Sequence, residues 1–476
     1  MEDNDCVTTK RNSGQHITAC SIASRTAGYR TTARRTTTYC ITVYQKAGIM
    51  TNPNPSQKRL SVEEARALVL GNIAPLPPEQ VSLLESCGRI LAQDVVSDID
   101  ISPFDNSAMD GFAVCFADFE TAQPSPESPL TLKIVGLTGA GELYGHTLEP
   151  GEALRIMTGA PLPQGADTVV KLEDVDVQGI TKDCPQGTKA VFTSMPKPAQ
   201  HVRFRGEEAH KGDVLIGIGQ RVNPAGTGLM ASTGNTRVLV YGRPRVAIIS
   251  TGSELVEANK VPGPGQIRNS NSYMLAAAVL EAGGVPVILN SVADNLSALR
   301  KAFLAATRDH HFLITSGGAA GGDFDFITQI VQELGQLLFN QVNMKPGKAQ
   351  IFGLINGTPV LGLPGNPGAA ATGFEVLARP ALRKMQGSTA LDRPVTQAVL
   401  TVDTPAEGPR RGYLRARLEH DDNGSYRVTP APNQSSALLG ALSRSNCLLV
   451  LPEGGGTLTA GTVVDCLRID LQEGAL

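Results

Sequence analysis

Tryptophan is absent from this chain of 476 residues. Aromatic anchors therefore carry little of its specialised structure. The 50 glycines and 31 prolines move that task to turns and loops, where function is to be sought. No stretch approaches the roughly 18 apolar residues that cross a bilayer, and the N-terminus lacks the compact apolar core of a secretion signal, so the chain reads as soluble with no membrane partner. The eight cysteines (Cys6, Cys20, Cys40, Cys87, Cys115, Cys184, Cys447 and Cys466) include no CxxC pair. That pattern indicates neither a zinc site nor a disulfide framework and fits a reducing, cytoplasmic setting. With 42 basic against 45 acidic residues and no Lys/Arg-rich run, nucleic acid is a poor partner. Also missing are GxxxxGK[ST], HExxH, GxSxG and a cysteine with a plausible histidine partner, which disfavours kinase and covalent hydrolase chemistry. His310 and His311 are expected inside a strand, as packing residues rather than ligands.

The length allows two to four domains and a sizeable core without staples. Between Asp5 and Glu63 there is no acidic residue, and residues 1–57 show no apolar periodicity. They read as a disordered leader or, with Met50 as the true initiator, a mis-called one; an organelle transit peptide is opposed by Glu2, Asp3 and Asp5. Order begins where Ser61 and Glu64 have capping-box spacing ahead of Ala65, Leu68 and Val69, with Gly71 closing the helix. A β-rich domain is expected at 101–196, where short apolar runs are cut by Pro and Gly. Residues 241–388 alternate strand and helix, predicting a three-layer α/β domain around a mainly parallel sheet. Residues 389–476 return to short strands, as in a closing β-barrel-like domain.

In an open parallel sheet, ligands sit beyond the carboxyl ends of the strands, where loops feed helix N-termini. Four such loops are unusual here: Thr251-Gly252-Ser253-Glu254, Ala293-Asp294-Asn295, the Gly317–Asp325 run and Pro364-Gly365-Asn366-Pro367. Their glycines let backbone N–H groups approach an oxyanion, while Glu254, Asp294 and Asp325 offer hard oxygen ligands suited to magnesium. Lys345 and Lys348 add two cations on one turn. Plainer roles are open at each position: Asp294 beside Asn295 suits a helix cap, as does Asp323, and Asp325 suits a first helical turn. A second set lies outside this domain. It comprises Phe104–Gly111, with two carboxylates and a glycine able to take a positive φ; Arg155–Pro161; and Arg203–Glu208, whose guanidiniums suit phosphate or ion pairs with Glu207 and Glu208.

The segments PFDNSAMDGFAV, RIMTGAPLPQGAD, RFRGEE, STGSEL, TSGGAAGGDFDF, MKPGK and GLPGNP stand in the order and spacing of the MoeA family, which includes the C-terminal half of gephyrin. The match covers about residues 58–476. This resemblance implies an elongated four-part protomer: a linker domain built from residues 58–100 and 197–240, the β-rich domain, a molybdopterin-binding α/β domain and the C-terminal β-domain. It also implies a homodimer whose pocket lies between the α/β domain and the DNSAMDG-bearing domain of the other chain. The implied reaction inserts molybdate into adenylylated molybdopterin with magnesium present, releasing AMP and molybdenum cofactor. Molybdopterin adenylyltransferase would act upstream and molybdoenzyme apoproteins would be served downstream. By motif, Asp110, Thr158, Glu254, Asp294 and Asp325 correspond to catalytic positions, with Glu254 and Asp325 as magnesium contacts. Arg203, Glu208, Ser316, Gly317, Gly318, Lys345, Lys348, Pro364, Pro367 and Ser436 correspond to substrate-binding ones.

This sequence departs from the family pattern where SGGVSVG reads SGGAAGG, with Ala319 and Ala320, where Ser253 and Glu208 replace Asp, and where Gln341 replaces Lys. The competing readings are a molybdopterin adenylyltransferase and a non-catalytic scaffold. DNSAMDG, MTGAP and the last β-domain oppose the first; the retained Asp110, Glu254 and Asp325 oppose the second.

Overall fold

A computed structural model describes residues 7–10, 16–19, 59–177, 188–292, 295–318, 326–406 and 408–474. The chain divides into two units, Met1–Pro55 and Ser56–Leu476. In the first, where no packed element is expected from the sequence, Val7–Lys10 pairs antiparallel with His16–Ala19.

The second unit opens with α1 (Val62–Gly71), held by the expected capping box in which Ser61 Oγ accepts from Glu64 N and Glu64 Oε2 accepts from Ser61 N. Six strands then form the sheet of the β-rich part: β1 (Gly111–Val114), β2 (Leu130–Thr138), β3 (Glu152–Ile156), β4 (Thr168–Lys171), β5 (Val175–Val177) and β6 (Lys189–Phe192), in the order β5-β6-β2-β3-β1-β4. Gly111 is needed for close approach rather than for a positive φ: a Cβ there would collide with the Val170 carbonyl of β4.

The α/β part contains β7 (Arg245–Ser250), α2 (Ser270–Glu281), β8 (Val285–Ile288), α3 (Leu296–Asp309), β9 (Phe312–Ser316), α4 (Phe326–Leu334), β10 (Gly335–Phe339), β11 (Ile351–Ile355) and β12 (Thr358–Leu363). A last helix follows as α5 (Pro367–Gly373), a π turn at Phe374–Ala378 and α6 (Arg379–Met385). Strand order is β8-β7-β9-β12-β11-β10; the first four run parallel, and β10 and β11 are antiparallel additions. GQLLF and IFGLI are short apolar runs, and periodicity alone does not distinguish such runs from helix. His310 and His311 lie between α3 and β9, not inside the strand; His311 Nδ1 accepts from Arg245 N at 3.0 Å.

Alternation along β7 separates two cores. Val246 and Ile248 pack with α1, α2 and the last helix, whereas Ala247 and Ile249 face Leu299 and Phe303 of α3 and Ile327 and Ile330 of α4. Helices thus cover both faces, as parallel sheets require.

The C-terminal part has β13 (Val395–Leu400), β14 (Arg411–His420), β15 (Tyr426–Pro430), β16 (Cys447–Leu451) and β17 (Val463–Arg468). Order β14-β15-β13-β17-β16 closes through a β14–β16 pairing, and Met344–Lys345 of the α/β part adds to the outside of β14. A buried ion cluster ties the chain end to α6: Arg379, 1% exposed, pairs with Glu473, and Arg393 pairs with Glu375 at 3.0 Å and Glu281 at 2.8 Å. Burial pushes the Glu473 carboxyl up, but the Arg379 and Arg383 guanidiniums outweigh it and hold the carboxyl below its usual range.

Candidate active site

Connections from β7 to β8 and from β8 to β9 leave the sheet in opposite directions, so a crevice opens past the carboxyl ends of β7 and β9. A cleft of about 790 Å³ occupies it. The loop after β7 supplies Thr251, Gly252 and Glu254, the loop after β9 supplies Gly317 and Gly318, and Pro364–Pro367 follows β12. Lys348 enters from the loop before β11, and Ser436 from the C-terminal part.

The turn after β9 demands glycine. Gly317 has φ +95°, and a Cβ would lie 2.5 Å from Thr251 O; Gly318 has φ +64°, with Thr251 Oγ1 at 2.9 Å from its Cβ position. Side chains there would strain the backbone and displace the neighbouring loop. The N-terminus of α2 also opens into the cleft through Asn269, Ser270 and Asn271. Asn269 caps it by accepting from Ser272 N at 3.1 Å and donates to Ser272 Oγ at 2.9 Å; Ser272 Oγ lies 2.7 Å from Ser250 Oγ. Asn271 Nδ2 donates to Ser316 Oγ and Gly365 O, both at 2.7 Å, joining the loops after β9 and β12. The Ser436 carbonyl accepts from Gly368 N at 2.7 Å, which fixes the C-terminal part against α5. These asparagines were not singled out from the sequence, although Asn269 ahead of SNSYML is a legible N-cap.

The cleft therefore holds Glu254, Ser316, Gly317, Gly318, Lys348, Pro364, Pro367 and Ser436 of the expected set. Lys345 stands at the start of the same loop, is exposed, and does not line the cleft. Asp294 and Asp325, with Asp323, Ala319 and Ala320, lie outside the described residues. Asn295 caps α3, accepting from Ser297 N at 2.9 Å and Ala298 N at 3.1 Å.

The second set assembles elsewhere. Asp110 Oδ1 accepts from Thr158 N at 2.7 Å and from Thr158 Oγ1 at 2.8 Å, bonds that hold its carboxyl below the usual range. Asp110 and Thr158 are exposed, and neither lines the cleft of their own chain. Arg203 pairs beside Asn106 in a two-stranded ladder, and Glu208 N donates to Ile101 O, so both belong to the Asp110 side. The ion pair of this segment joins Arg205 to Asp100 at 2.6 Å, not to Glu207 or Glu208. Arg155 is buried and structural, donating to Gly111 O at 2.8 Å. Among the described residues no three His, Cys, Asp or Glu side chains cluster as a metal cage, the cysteines Cys87, Cys115, Cys447 and Cys466 are free, and no helix is long and apolar enough to cross a membrane.

Three family descriptions match in sequence: the MoeA N-terminal region (domains I and II) at residues 60–234, a probable molybdopterin binding domain at 247–384, and the MoeA C-terminal region (domain IV) at 397–469. The chain is 36% identical over 401 residues to the molybdopterin molybdenumtransferase of Bacillus subtilis, covering 83% of this chain and 91% of that one. The chain belongs to the MoeA family. It is 34% identical to the Haemophilus influenzae molybdopterin molybdenumtransferase, over 85% of this chain and 97% of that protein. The crystal structure of the molybdopterin biosynthesis MoeA protein from Pyrococcus horikosii superposes with a TM-score of 0.74 at 30% identity, covering 87% of this chain and 99% of that one. Membership makes the chain a transferase of molybdenum cofactor biosynthesis, with the multidomain α/β and closed-sheet architecture expected from the sequence.

Proposed function

We propose that this MoeA-family chain inserts molybdate into adenylylated molybdopterin, releasing AMP and molybdenum cofactor, in the cytoplasm and as a homodimer. The observation that carries the reading is the convergence in one cleft of the Gly317–Gly318 turn, the α2 N-terminus, Glu254 and Lys348. Displacing AMP from a phosphoric anhydride beside a second oxyanion concentrates negative charge. Preorganised N–H donors and a lysine stabilise such charge best where water is excluded.

The Glu254 carbonyl accepts from Ile267 N at 2.9 Å, but its carboxylate has no hydrogen bond or ion pair among the described residues and is available to magnesium, which commonly takes one or two carboxylates plus substrate phosphates. Asp325 would be the second such ligand. When bound, magnesium neutralises phosphate charge and eases departure of AMP. Lys348 and the glycine N–H groups hold the oxyanions, and Ser436 closes the cleft.

Asp110 is kept ionised and oriented by Thr158, yet it is exposed away from its own cleft. The exposed Phe104, Met109 and Phe204 around it suit an interface, and a partner chain would bring Asp110, Arg203 and Glu208 to the other cleft. Lys345, Asp294 and the remaining expected contacts belong to this composite site. The upstream supplier is then an adenylyltransferase acting on molybdopterin, and the recipients are molybdoenzyme apoproteins.

Purified full-length chain given adenylylated molybdopterin, molybdate and magnesium is expected to release AMP in step with molybdenum incorporation. AMP release no faster than in a protein-free control would overturn the assignment in favour of a scaffold.

A further inference from the structure

Gln350 lies directly before β11 and is fully buried. Its Nε2 donates to Gly347 O at 3.1 Å, while its buried Oε1 has no hydrogen-bond partner among the described residues. The amide is wedged between two glycines: a Cβ on Gly347 would lie 2.7 Å from Nε2, and one on Gly373 of α5 would lie 2.6 Å from Oε1. An orphaned buried carbonyl lowers stability, and an aliphatic side chain would fill the same space without it. Packing therefore does not account for glutamine here. What the amide secures is the Gly347 carbonyl.

That carbonyl shares a peptide unit with the Lys348 N–H. The bond is trans, the cis peptides being Ile101–Ser102 and Lys345–Pro346 among the described residues. In a planar trans peptide C=O and N–H point in opposite directions. Holding Gly347 O against the buried amide turns the Lys348 N–H away from that amide, and Gly347, Lys348 and Ala349 all line the cleft. No acceptor among the described residues takes that N–H, and the loop is closed behind it by Val342 N donating to Lys348 O at 2.9 Å.

We infer that Gln350 is a positioning residue that aims the Lys348 backbone N–H, beside the Lys348 ammonium, at a tetrahedral oxyanion in the cleft. This inference rests on the reading of the cleft given under the proposed function. The oxyanion would then be gripped by charge from the side chain and by direction from the backbone.

The test uses the full chain and sodium molybdate. For Gln350→Leu, isothermal titration should show molybdate Kd raised about tenfold, the low end of what one aimed hydrogen bond to a charged group contributes. The molybdate KM should rise by the same factor with kcat changed less than about twofold, and the thermal midpoint should change little, loss of the orphaned Oε1 offsetting loss of the bond to Gly347 O. Unchanged Kd and KM in a folded Gln350→Leu protein, or a fall in kcat alone, overturns the assignment. Should that variant not fold, Gln350→Met, unbranched and of similar length, carries the same criteria. Lys348→Ala separates the two levels: loss of molybdate binding supports the cleft reading, whereas wild-type binding in Lys348→Ala overturns that reading and this inference with it.

Discussion

The cleft and the Asp110 turn carry polar groups in opposite conditions. In the cleft, backbone directions are fixed by Gly317, Gly318 and the asparagine caps, but the Glu254 carboxylate and the Lys348 N–H have no partner among the described residues. At the Asp110 turn the carboxylate already has two hydrogen bonds from Thr158, yet it faces solvent beside exposed Phe104 and Met109. The contrast fits the proposed function, in which one region receives a ligand and the other, finished in itself, faces a second chain. Polar groups at a binding site are fixed in place before binding and satisfied by it; those at an interface are satisfied first and then buried.

The largest effect is expected in the cleft. Glu254→Gln should lower kcat/KM by about 100-fold and flatten the dependence of rate on magnesium, because it removes the carboxylate proposed to hold the metal. An unaltered magnesium titration would mean that the carboxylate is not a metal contact.

At the turn, Asp110→Asn should reduce turnover roughly 30-fold while leaving the circular dichroism spectrum and thermal midpoint intact, since the carboxylate is exposed and no core depends on it. Mixing it with Glu254→Gln after subunit exchange sharpens the comparison. If each cleft draws Asp110 from the other chain, mixed dimers own one site with both residues intact, and activity should recover to about a quarter of wild type. No recovery after verified exchange would place both residues in a site within one chain.

The smallest effect belongs to Thr158→Ala, expected to lower kcat/KM about threefold by removing one of two hydrogen bonds to the Asp110 carboxylate. Those bonds depress the Asp110 pKa, so the ionised form persists to lower pH than in an ordinary carboxylate. Their stabilising effect is present above the unfolded value and lost as pH falls through the lower folded one. In Thr158→Ala the acid limb of the pH–rate profile should move to higher pH. An acid limb that stays in place would show that a different group sets it.

Much of this was legible in the sequence because it depends on local chemistry. The capping box at Ser61 and Glu64, the alternation of strand and helix from Arg245 to Met385, and the glycine turn after HFLITS are written within a few residues of one another. Other features were not legible. Gly111 reads locally as a turn glycine, but the Val170 carbonyl that excludes a side chain there comes from a strand some sixty positions away. Arg205 stands beside Glu207 and Glu208 in sequence and pairs instead with Asp100. Gln350 carries no motif at all, and its role emerges only when Gly347 and Gly373 close around it.

The sequence by itself determined which turns must be glycine-built, where helices begin and which family the chain resembles, because backbone sterics, capping and motif spacing act over short distances. Only the tertiary structure decided that Glu254, Gly317, Lys348 and Ser436 share one cleft while Asp110 stands outside it. It also decided which strands run antiparallel and which buried amide orients the Lys348 peptide, since those outcomes depend on long-range packing of groups that carry no local mark.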